Sequence, residues 1–304
     1  MEPFKVHILG CGSALPTLRH YPSAQVVEVR GKLFLVDCGE GTQIQLRRSR
    51  VRFTKISAVF ISHLHGDHCF GLPGMLSTFG LLGRTAPLAV YAPDSLFEVL
   101  QLQMRVFCSG LDYEVVMHAV DTHRQQVVYE DRSVTVESIP LEHRVDCCGY
   151  LFREKPVLPH IRRDVADFYG VPVSQFANIK SGAGWTAPDG IHIEHARLVS
   201  PADPPRSYAY CSDTRYIPTL GERLWGVSTL YHESTYGEDN LEMARKYYHS
   251  TARQAALVAR EAHARRLILG HFSSRYDDET VLLNEAREVF EDSVLAAEQC
   301  IFDV

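Results

Sequence analysis

The chain has 304 residues, 45% of them hydrophobic, enough to bury the core of one large domain or two modest ones. A formal net charge of −6 excludes a protein that coats nucleic acid through bulk positive charge, while leaving room for a local basic patch on an acidic body. No apolar run approaches the roughly 20 residues that a membrane-spanning helix needs.

"FKVHILG" at the start reads as a strand followed by a Gly-rich turn, and "SAQVVEVRGKLFLVDCG" as a hairpin turning at Arg30 and Gly31. "EGTQIQLRRSRV" has a helical pattern, and "ISAVFIS" is the next strand. Further strands are expected at "PLAVYAP", "YEVVMHAV", "QVVYED", "SVTVESIPL", "GYLFRE", "SYAYCSD", "VSTLYHES" and "RRLILGHF". Helices are expected at 94–107, around 161–169, at 250–264 and at 278–290. Strand runs in both halves, each followed by helical segments, give an α/β class with a two-sheet core and helices outside. Residues 152–190 depart from this pattern. Their prolines, glycines, basic residues and aromatics read as an inserted arm within a single 1–304 domain, against the ordinary alternative of a long surface connection.

Directly after "ISAVFIS" the chain places His63, His65, Asp67 and His68 in six positions. Secondary structure gives no reason to crowd imidazoles there. In a tight loop this spacing can direct His63 and His65 at one ion while Asp67 and His68 turn towards a second. Gly66, Gly71 and Gly74 let the backbone bend closely. Imidazole and carboxylate ligands without thiolate suit zinc. One loop cannot complete two coordination spheres. His143, Asp213 and His271 also stand at the ends of apolar runs, and strand ends converging on one crevice would supply what is missing. Each of these alone would be an ordinary strand-terminal polar residue. The other histidines, among them His7, His20, His118, His123, His160, His192, His195 and His263, are read as ordinary core or surface residues.

With these residues assembled, the chain resembles the metallo-β-lactamase superfamily and, within it, ribonuclease Z, the endonuclease that trims the 3′ end of precursor tRNA. The likeness runs through "LGCGSALPTLRHYPS", "LVDCGEGTQIQLRR", "SHLHGDHCFGLPG", "PLEHR", "CSDT", "YHEST", "YHSTARQAALVA" and "GHFSSRY". The metal loop marks only the superfamily. "PT-x-x-R", "HEST" where the family commonly reads HEAT, and "HST" mark the tRNA-processing branch. The resemblance implies a four-layer αββα sandwich with two zinc ions per subunit at the edge between the sheets. It assigns His63, His65 and His143 to one ion, Asp67, His68 and His271 to the other, and Asp213 to both.

Asp67 would also orient the attacking hydroxide or take its proton. Read alone, Ser250 and Thr251 merely cap the following helix and His249 is incidental; the HEAT-like and HST motifs make Glu233 and His249 a catalytic pair, with His249 the proton donor to the leaving oxygen. The adjacent His232 has no part in the family pattern. The expected products are a tRNA with a 3′-hydroxyl and a trailer with a 5′-phosphate.

Precursor tRNA is thus the expected partner, in a homodimer in which one subunit's arm holds the tRNA that the other cuts. The arm retains only part of the Gly-Pro-rich turn common in the family. Candidate RNA contacts are Arg19, in a loop near the scissile end, and Arg162, Arg163 and Lys180 in the arm, beside Arg153 and Lys155. Arg47, Arg48, Arg50 and Arg52 are read as a solvated face. Eight cysteines without a CxxC pair read as buried reduced thiols and, with no signal peptide at "MEPFKVHILG", point to the cytoplasm. The competing reading is another hydrolase of the same fold acting on a small phosphodiester or ester. A non-catalytic zinc scaffold would lack ligands, and a DNA-reading module has no motif or charge in its favour.

Overall fold

A computed structural model describes residues 2–49 and 51–304, so Arg50 lies outside the described residues. The chain forms two compact units, Glu154–Pro205 and the body made of Glu2–Arg153 with Arg206–Val304. In chain order the body begins β1 (Phe4–Gly10), β2 (Ala24–Val29), β3 (Lys32–Val36), α1 (Thr42–Ser49), β4 (Ile56–Phe60), α2 (Gly66–Cys69) and α3 (Leu72–Leu81). It continues through β5 (Leu88–Ala92), α4 (Ser95–Phe107), β6 (Val115–Ala119), β7 (Gln126–Glu130), β8 (Val134–Pro140) and β9 (Cys148–Glu154). The smaller unit holds β10 (His160–Ile161), α5 (Arg163–Phe168), α6 (Phe176–Lys180), β11 (Trp185–Thr186), β12 (His192–Ile193), α7 (His195–Leu198) and β13 (Val199–Ser200). The body resumes with β14 (Ser207–Cys211), α8 (Leu220–Arg223), β15 (Thr229–Glu233), α9 (Leu241–Tyr247) and α10 (Ala252–Glu261). It ends with β16 (Arg266–Gly270), α11 (Thr280–Arg287), β17 (Ser293–Leu295) and β18 (Ile301–Asp303).

The body strands make two seven-stranded sheets, ordered β18-β1-β2-β3-β4-β5-β6 and β17-β16-β15-β14-β9-β8-β7. The β2–β3 hairpin turns at Arg30 (φ 48°) and Gly31 (φ 78°), the left-handed pair that a tight hairpin demands. From β3 to β6 the strands run parallel, with helices in the crossovers. Between the sheets Phe34, Phe60, Tyr150, Phe152 and Tyr208 are fully buried, and the Phe60 ring meets those of Tyr150 and Phe152 edge-on at 5.1 and 5.6 Å. The outer face of the first sheet packs Leu9, Val26, Leu35 and Val59 against Leu46 of α1, Met75 and Phe79 of α3 and Leu100 of α4. α10 covers the other sheet with Ala252, Ala255, Ala256 and Ala259, whose small side chains let helix and sheet approach closely. The result is the expected αββα sandwich. Because β14, β15 and β16 are parallel, the residues at their C-terminal ends share one edge.

Some boundaries differ from expectation. The inserted unit is Glu154–Pro205 and not 152–190, because Arg153 of β9 still pairs with Ser207 of β14 and its guanidinium meets Glu137 at 3.3 Å. The unit encloses its own small core of Ala166, Val171, Ile179, Ile193 and Leu198. α3 lies outside the expected helices, and its Pro73, Gly74 and Gly80 are poor helix formers. Proline in a first turn has no helical N–H to lose, and the two glycines leave room for the ends of the Gln43 and Leu111 side chains, which an added Cβ would meet at 2.7 and 2.6 Å. Seven cysteines are buried as expected, but Cys300, just before the edge strand β18, is exposed; all eight are free thiols. No described helix is long and apolar enough to cross a membrane.

The metal loop is pinned to the turn after β3: Cys38 N–H donates to the His68 carbonyl and Gly71 N–H to the Cys38 carbonyl, both at 2.8 Å. A Cβ at Gly71 would stand 2.2 Å from the Gly39 carbonyl oxygen. Gly71→Ala is therefore expected to lower unfolding free energy by about 1–3 kcal/mol, as overpacking does. Denaturant titration checks this, and an unchanged midpoint would contradict the close approach.

Candidate metal centre

His63 and His65 follow β4, His143 follows β8, Asp213 follows β14 and His271 follows β16. Asp67 and His68 sit in the single turn of α2. Five imidazoles and two carboxylates from these segments form two overlapping groups: His63, His65, His143 and Asp213; and Asp67, His68, Asp213 and His271. All seven residues singled out in the sequence as ligands are brought together.

The donor atoms have the spacing of ligands around a cation. His65 Nδ1 lies 3.1 Å from His63 Nε2 and 3.2 Å from His143 Nε2. Nitrogens about 2.0–2.1 Å from a tetrahedral zinc are about 3.3 Å from each other. In the second group Asp67 Oδ2 is 3.4 Å from both His68 Nε2 and His271 Nε2. Asp213 divides its oxygens. Its Oδ2 stands 3.6 and 3.7 Å from His63 and His143, and its Oδ1 3.3 and 3.1 Å from His68 and His271. Oδ1 is buried and makes no hydrogen bond. A buried carboxylate oxygen aimed between two imidazole nitrogens with no proton directed at it fits a bound cation. The residues thus suit two divalent metal ions.

Behind the donors is a set of supports that sequence reasoning missed. Asp37, fully buried, accepts from His68 Nδ1 at 2.7 Å, from the Ser62 hydroxyl at 2.9 Å and from Tyr210 Oη at 2.6 Å. His143 Nδ1 donates to the Tyr248 carbonyl at 2.9 Å, and His271 Nδ1 to Thr235 Oγ1 at 2.9 Å. These bonds fix which ring nitrogen faces the ligand cluster. Asp37, Tyr248 and His271 all adopt positive φ (56°, 59° and 58°), backbone that non-glycine residues enter only under constraint. "VDCGEGT" held the one signal for Asp37, a polar residue ending a buried strand, which reads equally as a turn former.

Electrostatics sort the histidines. Burial lowers the basicity of His63, His65 and His143, leaving neutral imidazoles with lone pairs to offer. For His68 burial acts the same way, but Asp213, Asp67 and Asp37 outweigh it, three carboxylates that call for positive charge at this position, which a bound cation would supply. Burial resists ionisation of Asp213, and His271, His68 and His63 overcome it.

Glu233 ends β15, fully buried. Its Oε1 accepts from His249 Nδ1 at 2.9 Å and from the Thr214 and Ser250 N–H groups at 3.1 Å; its Oε2 accepts from Thr235 N–H at 3.0 Å and Thr235 Oγ1 at 2.7 Å. Burial discourages charge on His249, and the Glu233 carboxylate overrides it, raising the imidazole to about 9. The capping role weighed for the neighbouring residues also holds: Thr251 and Gln254 form a reciprocal capping box on α10. His249, His143, Asp67 and Asp213 line one cleft of about 300 Å³. His232 is buried with Nδ1 on the Glu233 carbonyl and joins neither ligand group.

The candidate RNA contacts are placed differently. Arg19 is engaged within the body, its guanidinium donating to Glu279 at 3.2 Å and to the Tyr276 and Asp277 carbonyls. His20, read as ordinary, bridges Glu298 (3.0 Å) and Glu279 (3.2 Å), with Cys11 Sγ 3.4 Å from its Nδ1. In the smaller unit Arg162 pairs with Asp164, Arg163 pairs with Asp167 and lies over the Phe176 ring, and Lys180 ends α6.

Known proteins share this architecture. Ribonuclease Z from Bacteroides fragilis (strain YCH46) is 55% identical over 302 residues, covering 99% of each chain. The crystal structure of human tRNase Z, short form, matches with a TM-score of 0.71 and 25% identity over 98% of both chains. YhfI from Bacillus subtilis, a metallo-beta-lactamase fold protein, matches with a TM-score of 0.69 and 19% identity over the whole of each chain. The family model described as anti-Pycsar protein Apyc1 matches residues 4–155, which include the metal loop and His143 but not Asp213, Glu233, His249 or His271. The fold and site are those of a metallo-β-lactamase-fold enzyme. The chain belongs to the ribonuclease Z family, metal-dependent endoribonucleases that process tRNA 3′ ends.

Replacing Asp37 by Asn keeps the shape but removes the charge that holds His68 Nδ1–H. Metal affinity is expected to fall about 10- to 100-fold, the usual cost of losing a partner behind a ligand. Competition with a chelator of known affinity measures it, and an unchanged dissociation constant would rule out the support role.

Proposed function

We propose that this chain removes the 3′ trailer of precursor tRNA, leaving a 3′-hydroxyl on the tRNA and a 5′-phosphate on the trailer. The observation that carries the reading is the Glu233–His249 pair, in which the buried Glu233 holds, at 2.9 Å, the His249 ring that lines the cleft of the ligand cluster, in a chain 55% identical to ribonuclease Z. The ligands would be His63, His65 and His143 for one zinc and Asp67, His68 and His271 for the other, with Asp213 shared. Bound there, the two ions lower the pKa of a water and neutralise non-bridging phosphate oxygens.

The protein groups do the remaining work. Asp67, 5% exposed at its side chain, orients the attacking oxygen and takes its proton. Glu233 accepts the Nδ1–H of His249, which fixes the tautomer and aligns the ring. His249 then delivers the Nε2 proton to the departing 3′ oxygen. Five hydrogen bonds hold the Glu233 carboxylate, so it keeps its position when the imidazole gives up its charge.

The tRNA body would be gripped by the Glu154–Pro205 unit through Arg162, Arg163 and Lys180, in a cytoplasmic homodimer that uses neither DNA nor membrane. Phosphate contacts of this kind make binding fall with salt. Those contacts would require the arginines to leave their present aspartate partners.

The test is to incubate zinc-loaded protein with a trailer-bearing precursor tRNA and with an unstructured RNA of equal length, then map the ends. One cut beside the acceptor stem, in the folded precursor only, is expected. Cleavage of neither RNA, with hydrolysis of bis-p-nitrophenyl phosphate, would replace this function with that of a small-phosphodiester hydrolase. His249→Ala should retain both ions while the chemical step slows about 10²- to 10⁴-fold; equal single-turnover rates would remove the proton-donor role. The pH profile gives the sign. An imidazole raised to about 9 stays protonated up to that pH, so kcat falls as pH rises through it. Glu233→Gln removes the charge that raises it, so the alkaline fall should move to lower pH, towards the ordinary imidazole value of about 6.5. An unmoved limb would contradict the coupling.

A further inference from the structure

Beside the cleft that holds His249 lies a second one, of about 340 Å³. The two share Ala14, His65, Asp67 and Arg144 and so meet at the ligand cluster. The second is lined in addition by Pro16, Pro22, Glu40 and Phe70. Phe70 is 68% exposed, and its ring lies against the backbone of Gly66, where an added Cβ would come within 2.4 Å of it. A large aromatic left open to solvent one helical turn from Gly66 has no packing purpose in the body's two cores, and neither includes it.

We propose that this cleft receives the base of the first trailer nucleotide, stacked on Phe70, while Arg144 at the shared boundary takes phosphate. The inference rests on the precursor-tRNA reading and names a subsite within it. Its direction follows from His249, which lines only the first cleft. That imidazole protonates the 3′ oxygen of the tRNA, so the retained nucleotide occupies the His249 side and the trailer leaves by the other. The contents of the second cleft follow from charge. The Glu40 carboxylate repels phosphate and accepts hydrogen bonds from base N–H groups, whereas prolines and a phenyl face suit a base. Arg144 is held at the boundary with its guanidinium 5.7 Å from the centre of the Tyr247 ring. The volume is near the lower end of ligand pockets, about 300–1,000 Å³, which suits one nucleotide and not a run of them.

The test uses a precursor with 2-aminopurine as the first trailer nucleotide, made uncleavable by a methylene group in place of the bridging 3′ oxygen. Binding to the wild-type protein should quench its fluorescence. Phe70→Ala should abolish the quenching, and Phe70→Trp should keep it. In parallel, an abasic first trailer nucleotide in a cleavable precursor should lower wild-type kcat/KM about tenfold, within what base–aromatic stacking supplies, and should cost Phe70→Ala nothing further. Equal quenching in wild type and Phe70→Ala, or quenching only with 2-aminopurine at the last retained nucleotide, would overturn the assignment. Wild-type cleavage of the unmodified precursor separates the two levels. If it occurs at the trailer boundary, a failed stacking test removes the subsite alone; if it does not occur, the subsite falls with the function.

Discussion

Burying a carboxylate is costly unless opposing charge surrounds it, and Asp213, 2% exposed, stands between two groups of imidazoles with one oxygen turned to each. That position imposes most of the local architecture. Each group combines residues of the loop after β4, in one sheet, with a histidine that follows β8 or β16, in the other, so the site needs both sheets. β4 with its loop supplies one flank, and β8 and β16 supply the other. The sandwich is what lets strand ends from both sheets face each other across a single residue.

The supports behind the ligands explain why the site can be held ready. Asp37 takes four hydrogen bonds, from His68, Tyr210 and both the hydroxyl and the N–H of Ser62, and so ties the metal loop to a strand of each sheet. The Tyr248 carbonyl fixes His143 from the turn that ends α9, and Thr235 joins His271 to Glu233. That last link runs from the ligand cluster through the buried Thr235 and Glu233 to the proposed proton donor. Positive φ at Asp37, Tyr248 and His271 is the local conformational cost of aiming these groups.

Much of this was legible in the sequence, for definite reasons. His63, His65, Asp67 and His68 crowd too closely to be incidental, and the apolar runs before His143, Asp213 and His271 mark strand ends, of which parallel packing gathers those of Asp213 and His271 at one edge. The strands themselves show through their β-branched and aromatic runs. Asp37, Tyr248 and Thr235 were not legible, because their work depends on partners far away in the chain and a single polar residue after a strand carries no signal of it. α3 was hidden by Pro73 and two glycines. The end of the inserted unit at Pro205 was hidden because its small core is built from Ile193 and Leu198, beyond the Gly-Pro-rich stretch that first marked it. Arg19 looked available for phosphate, since nothing in the sequence announced Glu279 and two carbonyls as its partners.

The most direct check of the dinuclear arrangement is anomalous diffraction at the zinc edge from crystals of zinc-loaded protein. Two peaks about 3.5–4 Å apart, one among His63, His65 and His143 and the other among Asp67, His68 and His271, with Asp213 touching both, are predicted. A single peak, or a peak at Cys11, His20 and Glu298 with this cluster empty, would contradict it.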